Sequence, residues 1–152
     1  MKAVITDFSR VLLFPKDDTF TSSLNALNNQ LLDKNPDYDF WRYFKINHEL
    51  LNYYKSLNFP VYIFTSETIQ DHPAVKALLE GTFKDIFSAK KLGLSKKEPK
   101  SYEDLAKITG HNPNEIFYID DNYDNFTAAK DGGCKAILFK SNDDVIGKLE
   151  IT

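Results

Sequence analysis

The residues best suited to chemistry in this sequence are polar side chains at the ends of short apolar runs. Asp7 follows the first run, Thr65 and Ser66 end the second, and Asp120 and Asp121 close a later one. If these runs are parallel strands of one sheet, the polar side chains meet at its carboxyl edge, where α/β proteins bind ligands. The sequence therefore predicts a single polar site assembled from distant parts of the chain.

The chemistry open to such a site follows from its charges. Carboxylates gathered at one point repel each other unless a hard cation such as Mg²⁺ lies among their oxygens. With that cation bound, a strand-end aspartate can act as a nucleophile towards a phosphoryl group. The hydroxyl of Thr65 and the amine of Lys96 or Lys97 would then stabilise charge on the transferring oxygens. The arrangement predicts phosphoryl chemistry with Mg²⁺ as the cofactor.

The elements that must position these residues alternate along the chain. Short apolar runs predict strands over residues 2–6, 61–65, 85–88, 116–119 and 136–139. Amphipathic spacing predicts helices over residues 46–57, 74–79, 101–109 and 124–130, the last two followed by Gly110 and Gly132. Strands separated by helices, with right-handed crossovers, give a mostly parallel sheet covered on both faces. The predicted fold class is α/β, a Rossmann-like three-layer α/β/α domain.

Residues 12–43 do not fit this alternation. The segment contains two prolines and one amphipathic stretch, which predicts a single helix over residues 19–32. We interpret it as a small helical insertion over the strand ends of a single domain, residues 1–152, because it is too short to build its own core. The aromatic residues near its end either pack against the core or line the entrance to the site; they are Phe40, Trp41, Tyr43 and Phe44.

Composition narrows the class of protein. There are 22 acidic against 19 basic residues and the net charge is −3, whereas general nucleic-acid and membrane-surface binders need a strong positive excess. The single cysteine, Cys134, excludes an internal disulfide, and no apolar stretch has the length of a membrane span or the form of a signal peptide. We therefore expect a cytoplasmic protein, a monomer or weak dimer, without nucleic-acid or membrane partners.

The motifs that contain the polar residues resemble those of the haloacid-dehalogenase superfamily of hydrolases. The first motif is matched by DFSRVL, and the resemblance makes its leading Asp7 the nucleophile. The second is matched by VYIFTS, which assigns substrate binding to Thr65 with Ser66 beside it. The third is matched by SKKEPKSYEDLAKITG, where the family lysine falls on Lys96 and Lys97 replaces a proline. The fourth is matched by EIFYIDDNYDNFTAAKDGGCKAILF, which carries an acidic pair.

The resemblance also implies a set of metal ligands. The carboxylate of Asp7 and the main-chain carbonyl of Ser9 would contact Mg²⁺. In the acidic pair, Asp121 is expected to make the direct contact, with Asp120 assisting it. Asn125, four residues further on, would support the pair.

Two residues depart from the family pattern. Ser9 stands where the phosphatases of the family usually carry a second aspartate, which protonates the leaving group and later activates water. A positioned acid–base group is worth about 10²–10⁴-fold in rate, so we expect Ser9 in this catalytic position to make turnover slow or limited by the leaving group. Arg10 replaces a glycine, and its guanidinium either binds an anionic substrate or points to solvent.

The resemblance therefore implies a Mg²⁺-dependent phosphatase that acts through an aspartyl-phosphate on Asp7. Its substrate would be a small phosphorylated molecule or a phosphorylated macromolecule, reached past a short cap formed by residues 12–43. One alternative is a weakly active or inactive homologue that binds a phosphorylated ligand or a protein partner. Another is a 2-haloacid dehalogenase, which needs no metal and would leave the paired Asp120 and Asp121 without a cation.

Overall fold

The computed structural model describes residues 3–66 and 68–150 of the chain. Its strands, in chain order, are β1 (Ala3–Thr6), β2 (Leu13–Pro15), β3 (Phe44–Ile46), β4 (Val61–Thr65), β5 (Asp85–Ser88), β6 (Ile116–Asp120) and β7 (Lys135–Leu138). Its α-helices are α1 (Leu24–Lys34), α2 (Phe40–Tyr43), α3 (His48–Ser56), α4 (Pro73–Leu79), α5 (Ala89–Leu92), α6 (Pro99–Thr109), α7 (Tyr123–Asp131) and α8 (Asn142–Glu150). Short 3₁₀ turns lie at Ile69–Asp71 and Pro113–Glu115.

The central sheet has five parallel strands in the order β5-β4-β1-β6-β7. β1 lies in the middle, and its last residue, Thr6, is in register with Ile63 of β4 and Ile119 of β6. The three strands β1, β4 and β6 are buried along their whole length, as expected for apolar runs covered on both faces. The mostly parallel sheet predicted from the sequence is confirmed.

Each face of the sheet carries its own apolar core. On one face, Val4 and Ile63 pack with Leu50 of α3 and Val75 of α4. On the other face the buried side chains come from the central strands and from α6 and α7; they are Ile5, Phe64, Tyr118, Tyr102, Leu105 and Ala129. The sheet is therefore the middle layer of three, and the predicted Rossmann-like α/β/α architecture is confirmed.

The boundaries of several elements differ from the predicted ones. The helix predicted over residues 46–57 is α3, which begins at His48 because the side chain of Asn47 accepts the Leu50 backbone N–H as an N-cap. The predicted helix over residues 101–109 begins earlier, since Pro99 occupies its first turn. The helix predicted over residues 19–32 is α1, capped by Ser23. Residue 2 of the first predicted strand lies outside the described residues.

A two-stranded antiparallel hairpin, not predicted from the sequence, follows the first strand of the sheet. β2 and β3 form it, with Leu13 in register with Ile46 and Pro15 with Phe44. Each of these strands has only three residues, which is too short for an alternation of apolar and polar residues to be recognised. Pro15 also argues against a strand, unless the strand lies at the edge of a sheet. The hairpin encloses residues 16–43, which we call the inserted segment.

The inserted segment contributes side chains to the core on one face of the sheet. Leu24 and Phe40 are both 2% exposed and belong to the same apolar cluster as Val4 and Ile63. The ring of Phe40 stacks on that of Phe44, with centroids 4.5 Å apart. Of the two expectations for the aromatic run, packing therefore holds for Phe40 and Phe44.

The remaining aromatic residues of the run have different surroundings. Trp41 is partly buried and lines a groove of about 600 Å³ together with Ala74, Ala77 and Leu78 of α4. Tyr43 is 36% exposed, and its ring meets that of Tyr38 edge to face at 5.8 Å. Trp41 of the inserted segment and these residues of α4 thus face the same groove.

Helices α6 and α7 approach closely at a glycine. A Cβ added to Gly132 would lie 2.6 Å from the backbone oxygen of Pro99, so this contact requires the absence of a side chain. Gly132 ends α7 as predicted, but the left-handed residue is the next one, Gly133, with a φ of 96°. None of the helices in the described part of the chain is long and apolar enough to cross a membrane.

Candidate active site

The carboxyl ends of β1, β4 and β6 lie side by side and bring together the polar residues predicted to form the site. The backbone N–H of Asp7 donates to the carbonyl of Ile119, 2.7 Å away, so the chain beyond β1 is still fixed to β6. The side chain of Asp7 is buried at this edge, as are Thr65 at the end of β4 and Asp120 at the end of β6.

Lys96 lies between two of these carboxylates. Its Nζ is 2.7 Å from Oδ1 of Asp7 and 3.1 Å from Oδ2 of Asp120. The residue is only 5% exposed, whereas Lys97 is exposed. Of the two lysines left open by the sequence, Lys96 is the one that reaches the buried carboxylates.

Three contacts fix the position of Lys96. The hydroxyl of Tyr102, on α6, donates to the carbonyl of Lys96 at 2.6 Å. The ring of Phe64 lies under the ammonium, with its centroid 5.4 Å from Nζ, and favours the cation. The backbone N–H of Ser95, the residue before Lys96, donates to the hydroxyl of Ser101. Helix α6 therefore supports the turn that carries the lysine.

Asp120 accepts hydrogen bonds at both carboxylate oxygens. Oδ1 accepts the backbone N–H of Asn122 at 2.9 Å. Oδ2 accepts the Tyr118 hydroxyl, the Lys96 ammonium and the side-chain amide of Asn125, the last at 3.2 Å. Asn125 thus orients Asp120, and Tyr118 is a member of this cluster that the sequence analysis missed. Alternation along β6 could have found it, because residues two apart in a strand share a face.

The carboxylates of Asp7, Asp120 and Asp121 form one cluster. Each can place an oxygen within 4.8 Å of the other two. Asp121 is exposed, while Asp7 and Asp120 are buried. Three carboxylate oxygens at this separation are the hard donors that Mg²⁺ prefers, so the residues present fit such an ion.

Burial and neighbouring charges set the protonation of the cluster. Burial raises the pKa of Asp7 well above its usual value even though Lys96 acts against the shift. Burial would also raise the pKa of Asp120, but the charge of Lys96 and the bonds from Tyr118 and Asn122 lower it overall. Burial disfavours the charged form of Lys96, yet Asp7 and Asp120 raise its pKa. Lys96 and Asp120 are therefore a charged pair.

The turn after Asp7 places Ser9 and Arg10. Its backbone is closed by the N–H groups of Leu12 and Leu13, which both donate to the carbonyl of Phe8. Ser9 Oγ is buried and has no hydrogen-bond partner among the residues that the structure describes. Arg10 has a φ of 63°, a left-handed conformation that is unfavourable for a residue with a side chain.

The guanidinium of Arg10 contacts the inserted segment. Its Nη2 donates to the carbonyls of Phe20 at 3.1 Å and Ser22 at 2.8 Å. A second contact nearby joins Asn25 of α1 to the chain after β4, because its side-chain oxygen accepts the Ile69 backbone N–H. Substrate binding by Arg10 stays a prediction of the sequence; the structure shows it holding the inserted segment to the turn.

A cavity of about 380 Å³ opens beside Lys96. Its lining includes the exposed Ser66, whose carbonyl accepts the Lys90 backbone N–H, and Asn122 at the start of α7. The basic residues Lys90 and Lys97 also line it. The predicted substrate-binding residues Ser66 and Lys97 therefore lie at the same opening, next to the buried Lys96.

Comparison with known families identifies the class of this chain. A family model described as a haloacid dehalogenase-like hydrolase matches residues 14–133. That span is most of the chain and includes the elements that carry Thr65, Lys96 and the acidic pair. The chain belongs to the haloacid dehalogenase-like hydrolases.

Two curated relatives are bacterial enolase-phosphatases E1. The one from Aquifex aeolicus is 35% identical over 94 residues, which are 59% of this chain and 42% of the relative. The one from Persephonella marina is 31% identical over 99 residues, or 62% of this chain and 43% of the relative. The chain therefore spans less than half the length of these relatives.

Solved structures of other proteins share the fold. An enzyme from Bacteroides thetaiotaomicron, in complex with magnesium and inorganic phosphate, matches with a TM-score of 0.68 at 14% identity, covering 95% of this chain and 96% of that one. An uncharacterized protein from Corynebacterium glutamicum matches with a TM-score of 0.62 at 15% identity, covering 99% and 94% of the two chains. At these identities the likeness concerns the fold.

Proposed function

We propose that this chain is a Mg²⁺-dependent phosphatase in which Asp7 attacks the phosphorus of a phosphorylated substrate. The observation that carries the proposal is the placement of Asp7 within 2.7 Å of the buried Lys96 ammonium, in a cluster with Asp120 and Asp121. This grouping offers a nucleophile, a cation for the phosphoryl oxygens and carboxylates for a metal.

The relatives support the same class of reaction. The two curated ones are named as phosphatases, and the enzyme from Bacteroides thetaiotaomicron was crystallised with magnesium and inorganic phosphate. Because this chain spans less than half of the curated relatives, their substrate is not transferred to it. The proposal takes from them only phosphate-ester cleavage.

The residues for the metal follow from the cluster and the turn. Asp7, Asp121 and the main-chain carbonyl of Ser9 would hold Mg²⁺, while Asp120 and Asn125 would support them. Bound there, the ion would neutralise the carboxylates and the charge of the phosphoryl group. Asp120 is the less available ligand, because both of its oxygens already accept hydrogen bonds.

Asp7 acts in two steps. One of its carboxylate oxygens forms a bond to phosphorus while the bond from phosphorus to the leaving oxygen breaks, which gives an aspartyl-phosphate. Water then attacks the phosphorus, the bond to Asp7 breaks, and hydrogen phosphate and the free carboxylate are released, with one proton of the water passing to solvent. Lys96 and the Thr65 hydroxyl donate to the phosphoryl oxygens in both steps.

The inserted segment corresponds in this proposal to most of the reduced cap of residues 12–43. Its aromatic core packs on the sheet layer, and Arg10 and Asn25 hold its start near the strand ends. A cap fixed in this way leaves the opening beside Lys96 accessible. A small phosphorylated molecule or a phosphorylated side chain of a macromolecule could reach it.

A second candidate is a binding protein with little or no turnover. Ser9 favours it, because a serine hydroxyl is a poor general acid or base near neutral pH. The Lys96 pair and the carboxylate cluster would in that case hold a phosphorylated ligand without cleaving it. Carbon–halogen hydrolysis, by contrast, would persist when Mg²⁺ is removed by a chelator.

The test is hydrolysis of 4-nitrophenyl phosphate with Mg²⁺ and with excess chelator. We expect turnover that requires the metal and falls by more than about 10³-fold in Asp7→Asn, which keeps the side-chain shape and loses the nucleophile. Turnover equal in wild type and Asp7→Asn would contradict the proposal. Phosphate binding without any turnover would favour the binding protein.

A further inference from the structure

The groove that Trp41 lines belongs to a part of the surface that the active site does not use. Its volume is about 600 Å³, inside the range of about 300–1,000 Å³ that is usual for small-molecule sites. Its lining comes mainly from α2, β3 and α4, and it shares no residue with the carboxylate cluster or with the cavity beside Lys96. The groove is therefore a second, separate cavity.

The apolar walls of the groove are fixed by packing and leave open space between them. The ring of Phe44 is fully buried and stacks on Phe40, and the ring of Trp41 meets Phe40 edge to face at 4.8 Å. The opposite wall is α4, where Ala74 and Ala77 share a face because they are three residues apart. Both carry only a methyl group, so the helix does not fill the space that it lines together with Trp41.

The ionisable residues that line the groove are all basic. Lys16, Lys45 and His48 are exposed there, and within the described part of the chain no carboxylate lines it. Lys45 pairs with Asp18 at 3.0 Å, but both side chains are largely exposed, and such a pair holds a lysine only weakly. An apolar molecule in the groove would therefore have positive charge beside it.

We propose that this groove binds a small amphipathic anion, a molecule with an apolar body and one carboxylate or sulfonate group. The apolar body would lie between Trp41 and Ala77, and the anionic group would contact the ammonium of Lys16 or Lys45. The lysines would repel an apolar cation, so charge selects among apolar ligands of equal size. The site is independent of the proposed phosphatase function, because none of the residues given a role in that function lines it.

The first experiment uses 8-anilinonaphthalene-1-sulfonate, an aromatic sulfonate that absorbs light where tryptophan emits. Because Trp41 is the single tryptophan, we expect saturable energy transfer from it to one bound probe, with a Kd below about 100 µM. Octanoate should displace the probe, whereas octyltrimethylammonium, with the same chain and a positive head group, should do so at least about tenfold less well. The absence of saturable energy transfer, or equal displacement by the two amphiphiles, would overturn the inference.

A pair of variants tests whether the probe lies in the groove. Ala77→Phe places a ring in the space that α4 leaves open and should raise the Kd of the probe more than about tenfold. Ala26→Phe makes the same change on α1, outside the groove, and should change the Kd less than about twofold. Both alanines are exposed, so neither change disturbs the core. An equal Kd in Ala77→Phe and wild type would overturn the inference, because the probe would bind elsewhere.

A second pair tests the role of the lysines. The double variant Lys16→Gln, Lys45→Gln should weaken the binding of octanoate, measured by calorimetry, about tenfold. Its matched control is Lys34→Gln, Lys55→Gln, which removes the same charge from exposed positions outside the groove and should change the Kd less than about twofold. Equal weakening in the two double variants would show that only the net charge of the chain matters, and would overturn the assignment of the anionic group to this groove.

Discussion

The active site and the inserted segment are held to the sheet by different forces. In the site, the buried Lys96 joins Asp7 and Asp120 through charged hydrogen bonds. The inserted segment is held by apolar packing around Phe40 and by the bonds of Arg10 to backbone carbonyls. We therefore expect substitutions in the site to lower both turnover and stability. Substitutions in the inserted segment should lower mainly stability.

The largest effect on stability and turnover together is expected from Lys96→Met, which keeps an unbranched side chain one atom shorter and removes its charge. Two buried carboxylates would lose their cation, and breaking such a pair is worth about 3–5 kcal/mol in the free energy of unfolding. We also expect kcat/KM to fall by about 10²–10³-fold, because a donor to the transferring oxygens is lost. Urea unfolding and aryl phosphate kinetics measure the two effects.

Lys130→Met provides the comparison for this variant. Lys130 is exposed on α7, so its replacement should change the unfolding free energy by less than about 0.5 kcal/mol. If Lys96→Met behaved like Lys130→Met in both measurements, the charged triad would have no role in either folding or turnover.

The second largest effect is a loss of stability, expected from Phe40→Ala in the inserted segment. Phe40 is 2% exposed and stacks on Phe44, so its truncation should lower the free energy of unfolding by about 3–5 kcal/mol. The kcat of the folded variant should stay within about threefold of wild type, since none of the contacts of Asp7 is touched. Tyr43→Ala, at a half-exposed ring, should cost about 1 kcal/mol and serves as the control. A loss of kcat in Phe40→Ala comparable to that in Lys96→Met would erase the distinction between the two regions.

The smallest loss of stability is expected at Arg10. Two replacements there distinguish the contribution of its hydrogen bonds from the cost of its backbone conformation. Arg10→Ala removes the bonds to Phe20 and Ser22 and should cost about 1–2 kcal/mol of stability. Arg10→Gly removes the same bonds but relieves the strain at a φ of 63°, so it should be about 1 kcal/mol more stable than Arg10→Ala. Equal stability of wild type and both variants, with a raised KM, would instead place Arg10 on the substrate.

Much of the fold could be predicted because the strands of the central sheet have recognisable local sequence patterns. The apolar runs of β1, β4 and β6 are short, buried on both faces and bounded by polar residues. The hairpin of β2 and β3 could not be predicted, since three-residue strands have no resolvable period and their partners lie about thirty residues apart. The same holds for the packing of Phe40, which depends on contacts with a distant part of the chain.

Some features of the site could also be predicted from the sequence, and others could not. Asp7, Thr65, Lys96 and Asp120 follow from their positions at strand ends and from motif order. The reach of Lys96 to both Asp7 and Asp120, while Lys97 is exposed, depends on side-chain directions that composition and spacing do not contain. The contact of Tyr118 with Asp120 joins two residues that alternation places on the same face of β6.

The surroundings of Trp41 determine what intrinsic fluorescence can report for this protein. Trp41 is the single tryptophan of the chain, and it lines a groove with residues of α4 that is not lined by Asp7, Asp120 or Asp121. An emission change on adding phosphate or Mg²⁺ would therefore signal a rearrangement of the segment on α4 and not occupancy of the site. A titration that leaves the emission unchanged is, for the same reason, compatible with full binding, so ligand affinity is better followed by calorimetry.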